Sequence, residues 1–204
     1  MTTHCRRCVV EVCFVLLFAV PALGQSGENR FEVGAHVAAA DSGQFDATDV
    51  GFGGRFAWNP VGLLGLESEI SFYPGEFPRV GGFSRARIEG LFGATAGPRI
   101  GGLRPFVKAR FGFLNIRAAS EPFACILIFP PPLSCQLGGG RTLPELDLGG
   151  GLELFTSRRT FVRVEVGDRL LRYPGPVLDN HRRARDRGFF DQDFRFAAGA
   201  GLRF

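Results

Sequence analysis

The sequence predicts an all-β fold in which eight antiparallel strands run up and down and close into a transmembrane barrel. Three observations predict it. Strict apolar and polar alternation recurs eight times beyond residue 30, and no long stretch repeats at the helical period. The connections between these stretches are alternately long and short. The polar face of the strands carries equal numbers of acidic and basic groups, the condition for enclosing charge inside a wall.

Before the first strand lies an address. His4, Arg6 and Arg7 give a positive start, residues 12–20 form an uninterrupted apolar run, and Pro21 precedes the small-x-small boundary Ala22-Leu23-Gly24. The run is shorter than the roughly 20 residues of a membrane-spanning helix. It fits a cleavable export signal over residues 1–24, which leaves residues 25–204 as one domain. Cys5, Cys8 and Cys13 would leave with the signal, and Cys5-Arg6-Arg7-Cys8 has no second pair to make a metal site. Cys125 and Cys135 remain, and in an oxidising compartment they are expected to form a disulfide closing a short loop.

The strands follow in order. Phe31, Val33, Ala35, Val37 and Ala39 alternate with Glu32, Gly34, His36 and Ala38; Val50, Phe52, Phe56 and Trp58 alternate with Gly51, Gly53, Arg55 and Ala57. The third run sets Leu64, Leu66, Ile70 and Phe72 against Gly65, Glu67, Glu69 and Ser71, and the fourth sets Ile88, Phe92, Ala94 and Ala96 against Arg87, Glu89, Gly93 and Thr95. In the fifth, Val107, Ala109, Phe111 and Phe113 oppose Lys108, Arg110 and Gly112. Leu146, Leu148, Leu152 and Leu154 alternate with Glu145, Asp147, Gly149, Gly151 and Glu153 in the sixth, and Val162, Val164, Val166 and Leu170 with Arg163, Glu165, Gly167 and Arg169 in the seventh. Asp168 falls on the apolar face, where its cost is small if it lies near a strand end. The eighth, Asp193 to Phe204, places Phe194, Phe196, Ala198, Ala200, Leu202 and Phe204 on one face, and is long enough to cross a bilayer as a tilted strand.

Alternation alone does not say which face points inward. A soluble barrel of the lipocalin kind would fill its centre with the Phe and Leu face. Against that stands the polar face, which is rich in Gly and carries Arg55, Arg87, Lys108, Arg110, Arg163, Arg169, Arg195 and Arg203 opposite Glu32, Glu67, Glu69, Glu89, Glu145, Asp147, Glu153 and Glu165. Balanced charge and small residues suit a crowded lumen. The connections agree: residues 59–63, 98–104 and 156–160 are short, whereas 40–48, 74–82, 118–142 and 173–192 are longer, the asymmetry of a membrane barrel. Trp58, Phe155 and Phe204 are then expected at the interface beside the short turns, and Tyr73 and Tyr173 at the opposite one.

An export signal, eight alternating strands and a last strand ending on Phe204 resemble the outer-membrane β-barrel proteins of diderm bacteria, in particular the small OmpA and OmpX type. The resemblance covers essentially the whole mature chain and is one of pattern. It implies an outer-membrane location with both termini in the periplasm. It also makes Phe196, Leu202 and Phe204 an assembly signal for the barrel-insertion machinery.

Composition excludes several classes. With 22% charged and 45% hydrophobic residues the chain is neither a disordered tail nor a helical membrane bundle. Its net charge of +4 arises from 24 basic and 20 acidic residues that largely oppose one another, so nucleic acid is not an expected partner. The favoured reading is a non-enzymatic, monomeric outer-membrane protein without cofactor or metal, its lumen filled by ion pairs. Outer-membrane lipid and lipopolysaccharide are its expected surroundings, and loops 118–142 and 173–192 its contact sites. Residues 125–135 form an apolar, proline-stiffened segment that folds back on the rim, dips into the leaflet or offers a binding patch. Arg182, Arg183, Arg185 and Arg187 suit bidentate contacts to lipopolysaccharide phosphate. Two alternatives stay open: a small-conductance channel, in which Glu67, Glu69, Arg110 and Arg163 would matter, and a lipid A-modifying enzyme, for which His36 and His181 show no Ser or acid at a catalytic spacing.

Overall fold

The computed structural model describes residues 30–44, 47–74, 86–118 and 128–204. The export segment 1–24, Cys125 and most of loop 74–82 lie outside these described residues. Seven long strands come first: β1 (Phe31–Ser42), β2 (Ala47–Val61), β3 (Leu64–Tyr73), β4 (Arg87–Ala96), β5 (Leu103–Ile116), β6 (Arg141–Phe155) and β7 (Thr160–Tyr173). A short helix, α1 (Leu133–Gly138), interrupts the β5–β6 connection. Two-residue strands β8 (Val177–Leu178) and β9 (Ala184–Arg185) pair as a small hairpin before β10 (Phe189–Arg203).

The eight long strands form one closed antiparallel barrel in the order β1-β10-β7-β6-β5-β4-β3-β2. Each pairs with its neighbours in sequence, and β1 closes onto β10 with Ala35 opposite Ala200 and Val37 opposite Ala198. Closure removes the free edges that would otherwise expose unpaired backbone groups to hydrocarbon. Register is fixed by the alternation, because a one-residue slip would turn a strand's lumenal charges outward and its exposed apolar side chains inward.

The apolar face points out. Val37, Phe52, Ile70, Phe92, Phe111, Leu152, Val166, Phe194 and Leu202 are exposed on the outer wall, while Arg110, Asp147, Glu153 and Arg195 have no exposed surface. A soluble barrel with this face inside is therefore ruled out. Three short turns join β2 to β3, β4 to β5 and β6 to β7. In the last of these the Thr156 amide donates to the Thr160 carbonyl, and the Ser157 hydroxyl accepts from the amides of Arg159 and Thr160.

Several expectations need correction at the strand ends. Tyr73 and Tyr173 share the inward parity of Glu67 and Arg163, and both are 1% exposed, so neither belongs to an interfacial girdle. Trp58 and Phe204 do face outward at the short-turn end, but Phe155 is only half exposed and packs edge-on against the buried Phe161 at 6.4 Å. Asp168 is exposed on the outer wall between Leu148 and Phe194, and β7 runs on past it to Tyr173, so it is not at a strand end.

Candidate functional site

The lumen is asymmetric around its circumference. The inward positions of β1, β2 and β10 are largely small: Gly34, Ala38 and Ala40, then Gly51, Gly53 and Ala57, then Ala197, Gly199 and Gly201. Those of β3 to β7 carry most of the long charged side chains, which reach across to this small wall. His36 fits only because its neighbours are glycines. A Cβ on Gly53 would lie 2.8 Å from the His36 ring, and one on Gly199 would lie 2.8 Å from the His36 Cβ.

Arg110 is the hub. Its Nε donates to Asp147 at 2.8 Å, Nη1 to Glu69 at 2.8 Å and Glu67 at 3.2 Å, and Nη2 to Glu165 at 2.7 Å and also to Asp147. Arg163 repeats the pattern nearer the short turns, reaching Glu67 at 3.0 Å, Glu153 at 2.9 Å and Glu165 at 2.7 Å while stacking 4.1 Å over the Phe106 ring. Arg195 contacts Glu69, Glu165 at 2.9 Å and Glu89 at 3.2 Å. Lys108 lies 3.0 Å from both Asp147 and Glu165, and Arg55 3.1 Å from Glu67. The guanidinium fork lets each arginine serve several strands, which single-point ammonium groups do less well.

The network also contains members that the sequence reading left out. Arg104 meets Glu153 at 3.2 Å, Arg87 pairs with Asp49, and Arg169 with Asp193 at 2.7 Å. Arg104 is the last residue of the expected connection 98–104 and Asp49 stands just ahead of the expected second strand, yet both continue the alternation of strands that start earlier than predicted. Tyr73 joins by donating its hydroxyl to Glu89. Glu145 is the exception among the expected members: neither of its oxygens has a hydrogen-bond partner, and its nearest cation is Arg169 at 4.0 Å.

His36 Nε2 lies 2.9 Å from the Ser71 hydroxyl and 3.4 Å from Glu69, a juxtaposition invisible in the sequence. It is not a relay. In a Ser-His-acid triad the acid orients the ring through the nitrogen that the serine does not use, whereas here Ser71 and Glu69 contact the same nitrogen. The adjoining cavity, bounded by His36, Arg55, Glu69 and the Gly199 wall, measures about 20 Å³, room for about one water. Among the described residues no group of three His, Cys, Asp or Glu side chains is placed to hold a metal.

Above this ionic region, at the long-loop end, the inward positions turn apolar. Leu114, Ile116, Leu143, Leu171 and Tyr173 surround Leu133 and Leu137 of α1 and Val177, and Phe189 stacks on Tyr173 at 5.0 Å. The second half of loop 118–142 is thus a plug in the barrel mouth. Gly140, with φ +78°, turns the chain from α1 into β6. Of the apolar segment in that loop, only Ile128 and Phe129 are described as exposed, Phe129 at 84%.

Beside the plug the β8–β9 hairpin is tied down by Asp179. Its carboxylate accepts from the Arg183 amide at 2.7 Å and from Arg185 Nε at 3.3 Å. Burial works against the charged form, yet these two donors prevail and hold the carboxyl below the usual aspartate range. Arg182, Arg183 and Arg187 are exposed, whereas Arg185 is occupied by Asp179. Cys135 sits half-buried on α1. Phe196 and Leu202 are exposed on the outer wall of β10, and Phe204 is exposed just past its end.

Geometry of this kind defines a class: a closed, ion-filled, eight-stranded barrel with an apolar belt. No family model and no curated protein matches the chain. Solved structures do. The N-terminal β-barrel domain of Pseudomonas aeruginosa OprF is similar at 13% identity and TM-score 0.51, covering 87% of this chain and 100% of that one. Neisserial surface protein A is similar at 13% identity and TM-score 0.53, covering 85% and 97%. The outer membrane protein OprG from Pseudomonas aeruginosa gives 11% identity and TM-score 0.52, covering 86% and 96%. At such identities the likeness establishes the fold, that of the small eight-stranded outer-membrane barrels.

Proposed function

We propose that this chain is a non-enzymatic integral outer-membrane protein that supports the envelope and makes surface contacts through its long-loop end. The observation that supports it best is the doubly closed lumen: ion pairs fill the middle and an apolar plug fills one mouth, so the only described surface offered to the exterior is that of the loops. On this reading residues 1–24 direct export, and the barrel-assembly machinery recognises Phe196, Leu202 and Phe204. The short turns face the periplasm. Contacts to lipopolysaccharide phosphate come from Arg182, Arg183 and Arg187, and those to a surface partner from Ile128 and Phe129, with a Cys125–Cys135 bridge bracing the latter loop. The protein works as a monomer without cofactor.

Outer membranes from cells expressing the full chain test this. The expected results are a membrane-fraction band that shifts on boiling in SDS gels, flat current traces in planar bilayers, and lipid A of unchanged mass on overexpression. Stepwise conductance that changes on neutralising Arg110 or Glu67 would replace this reading with a channel.

A further inference from the structure

The short-turn end carries a charge bias that surface contact at the other end does not use. Among the described residues, the exposed charged side chains of this end are Arg30, Arg99, Arg158 and Arg159, all basic. Its acids, Glu32 and Glu153, are buried and already paired within the lumen.

Three separate stretches of chain bring these arginines to one rim. The Asn59 amide donates to the Arg30 carbonyl at 2.7 Å, which holds the start of β1 against the end of β2, and the Arg203 amide donates to the Arg159 carbonyl at 2.8 Å. The guanidiniums of Arg99 and Arg203 both stack on the Phe155 ring, at 4.2 and 4.4 Å. Arg203 Nε is held by the buried Glu32 at 3.1 Å, so Arg203 anchors the ring from the lumen side, whereas Arg99 is exposed, its Nε donating to the Gly101 carbonyl at 3.3 Å and its guanidinium plane ordered by the stack.

The depth of the rim identifies the occupant. Phe31, Trp58 and Phe204 are exposed on the outer wall at this end, with Phe31 stacked on Phe204 at 6.3 Å. Outward aromatics on a membrane barrel mark the boundary between acyl chains and headgroups. Arg30 is the immediate neighbour of Phe31, and Arg159 is hydrogen-bonded to the residue before Phe204, so the basic rim lies at the level of the headgroup phosphates.

We infer that the arginine rim at the short turns binds anionic phospholipid headgroups, the guanidiniums gripping phosphodiester oxygens in the leaflet that borders those turns. This rests on the membrane-spanning reading above, which the heat shift reports independently. Trp58, the single tryptophan of the chain, lies beside Arg30 and reports on this rim alone.

The test is quenching of Trp58 by chain-brominated lipid in vesicles containing the purified full chain. Brominated phosphatidylglycerol should outcompete brominated phosphatidylcholine on the order of fivefold, the gain of one arginine near an anionic headgroup. Raised salt should erase most of that preference, as should replacing Arg30, Arg99, Arg158 and Arg159 with Gln. Replacing Arg182, Arg183 and Arg187 with Gln at the opposite end should leave it intact. Equal quenching by the two lipids in the unaltered protein overturns the inference, as does arginine-dependent sedimentation with peptidoglycan in the absence of any lipid preference. Should the fourfold variant lose its heat shift, the Arg158→Gln/Arg159→Gln pair on the exposed turn takes its place. Loss of the heat shift in the unaltered protein would instead sink the membrane reading itself.

Discussion

Two regions fill this barrel by opposite means. In the middle of the lumen Arg110, Arg163 and Arg195 hold carboxylates from β3, β4, β6 and β7 with almost no surface exposed. At the long-loop mouth Leu133 and Leu137 of α1 pack against Leu114, Ile116, Leu143 and Leu171 with equally little exposed. Burial is the same, but the dependence on partners differs. An apolar side chain gains from any well-fitting neighbour, whereas a buried charge is tolerable only where a specific opposite charge meets it. The ionic middle should therefore fail as a unit when one hub is lost, and the plug should fail locally.

The largest effect is expected from Arg110→Met. It would leave Glu67, Glu69, Asp147 and Glu165 short of a shared cation, and should cost about 3 to 5 kcal/mol in urea unfolding of the micelle-embedded barrel. A small change there would mean that the carboxylates repartner freely and that the two regions do not differ as argued. Next comes Leu137→Ala in the plug, with a local cost of about 2 to 5 kcal/mol. Because α1 lies in a connection, this should appear as faster proteolysis around residues 128–140 with the barrel's unfolding midpoint nearly unchanged.

The hairpin beside the plug gives a smaller effect with a defined sign. Asp179 has its carboxyl held below the usual aspartate range, so its stabilisation of β8–β9 is present at neutral pH and is lost only as pH falls through and below that range. Asp179→Asn should loosen the hairpin by about 1 kcal/mol at neutral pH and remove this acid dependence, read by amide exchange at Arg183. The smallest effect is expected at the border of the two regions. Glu145→Gln should shift the urea midpoint by no more than about 1 kcal/mol, because Glu145 has no hydrogen-bonded partner to lose and a neutral amide is easier to bury. A loss as large as that of Arg110→Met would place Glu145 inside the network after all.

Alternation made the wall legible at the level of single residues. All eight long strands, their inward and outward faces and the three short turns follow from it, because a strand's side chains have a period of two whatever surrounds them. The strand ends were less legible. Arg104, Asp49 and the first residues of β10 continue the pattern past the predicted boundaries, where glycines and prolines blur it. Residue type alone puts Tyr73 and Tyr173 at an interface, whereas the parity of their own strands turns them inward. The plug was least legible of all. Leu133 and Leu137 read as an apolar patch in a long loop, and only the ring of inward leucines on β5, β6 and β7 reveals what they pack against.

Sequence by itself thus determined the fold class, the face turned to lipid and the overall balance of enclosed charge, all of which are local or compositional properties. The tertiary structure alone decided which charge meets which, since Arg110 joins residues from β3, β6 and β7 that the chain keeps 37 to 55 positions away. It alone decided that residues 133–138 enter the barrel mouth, that His36 meets Ser71, and that scattered turn arginines form one rim. The physical reason is barrel closure, which sets side chains from distant strands across a narrow lumen from one another.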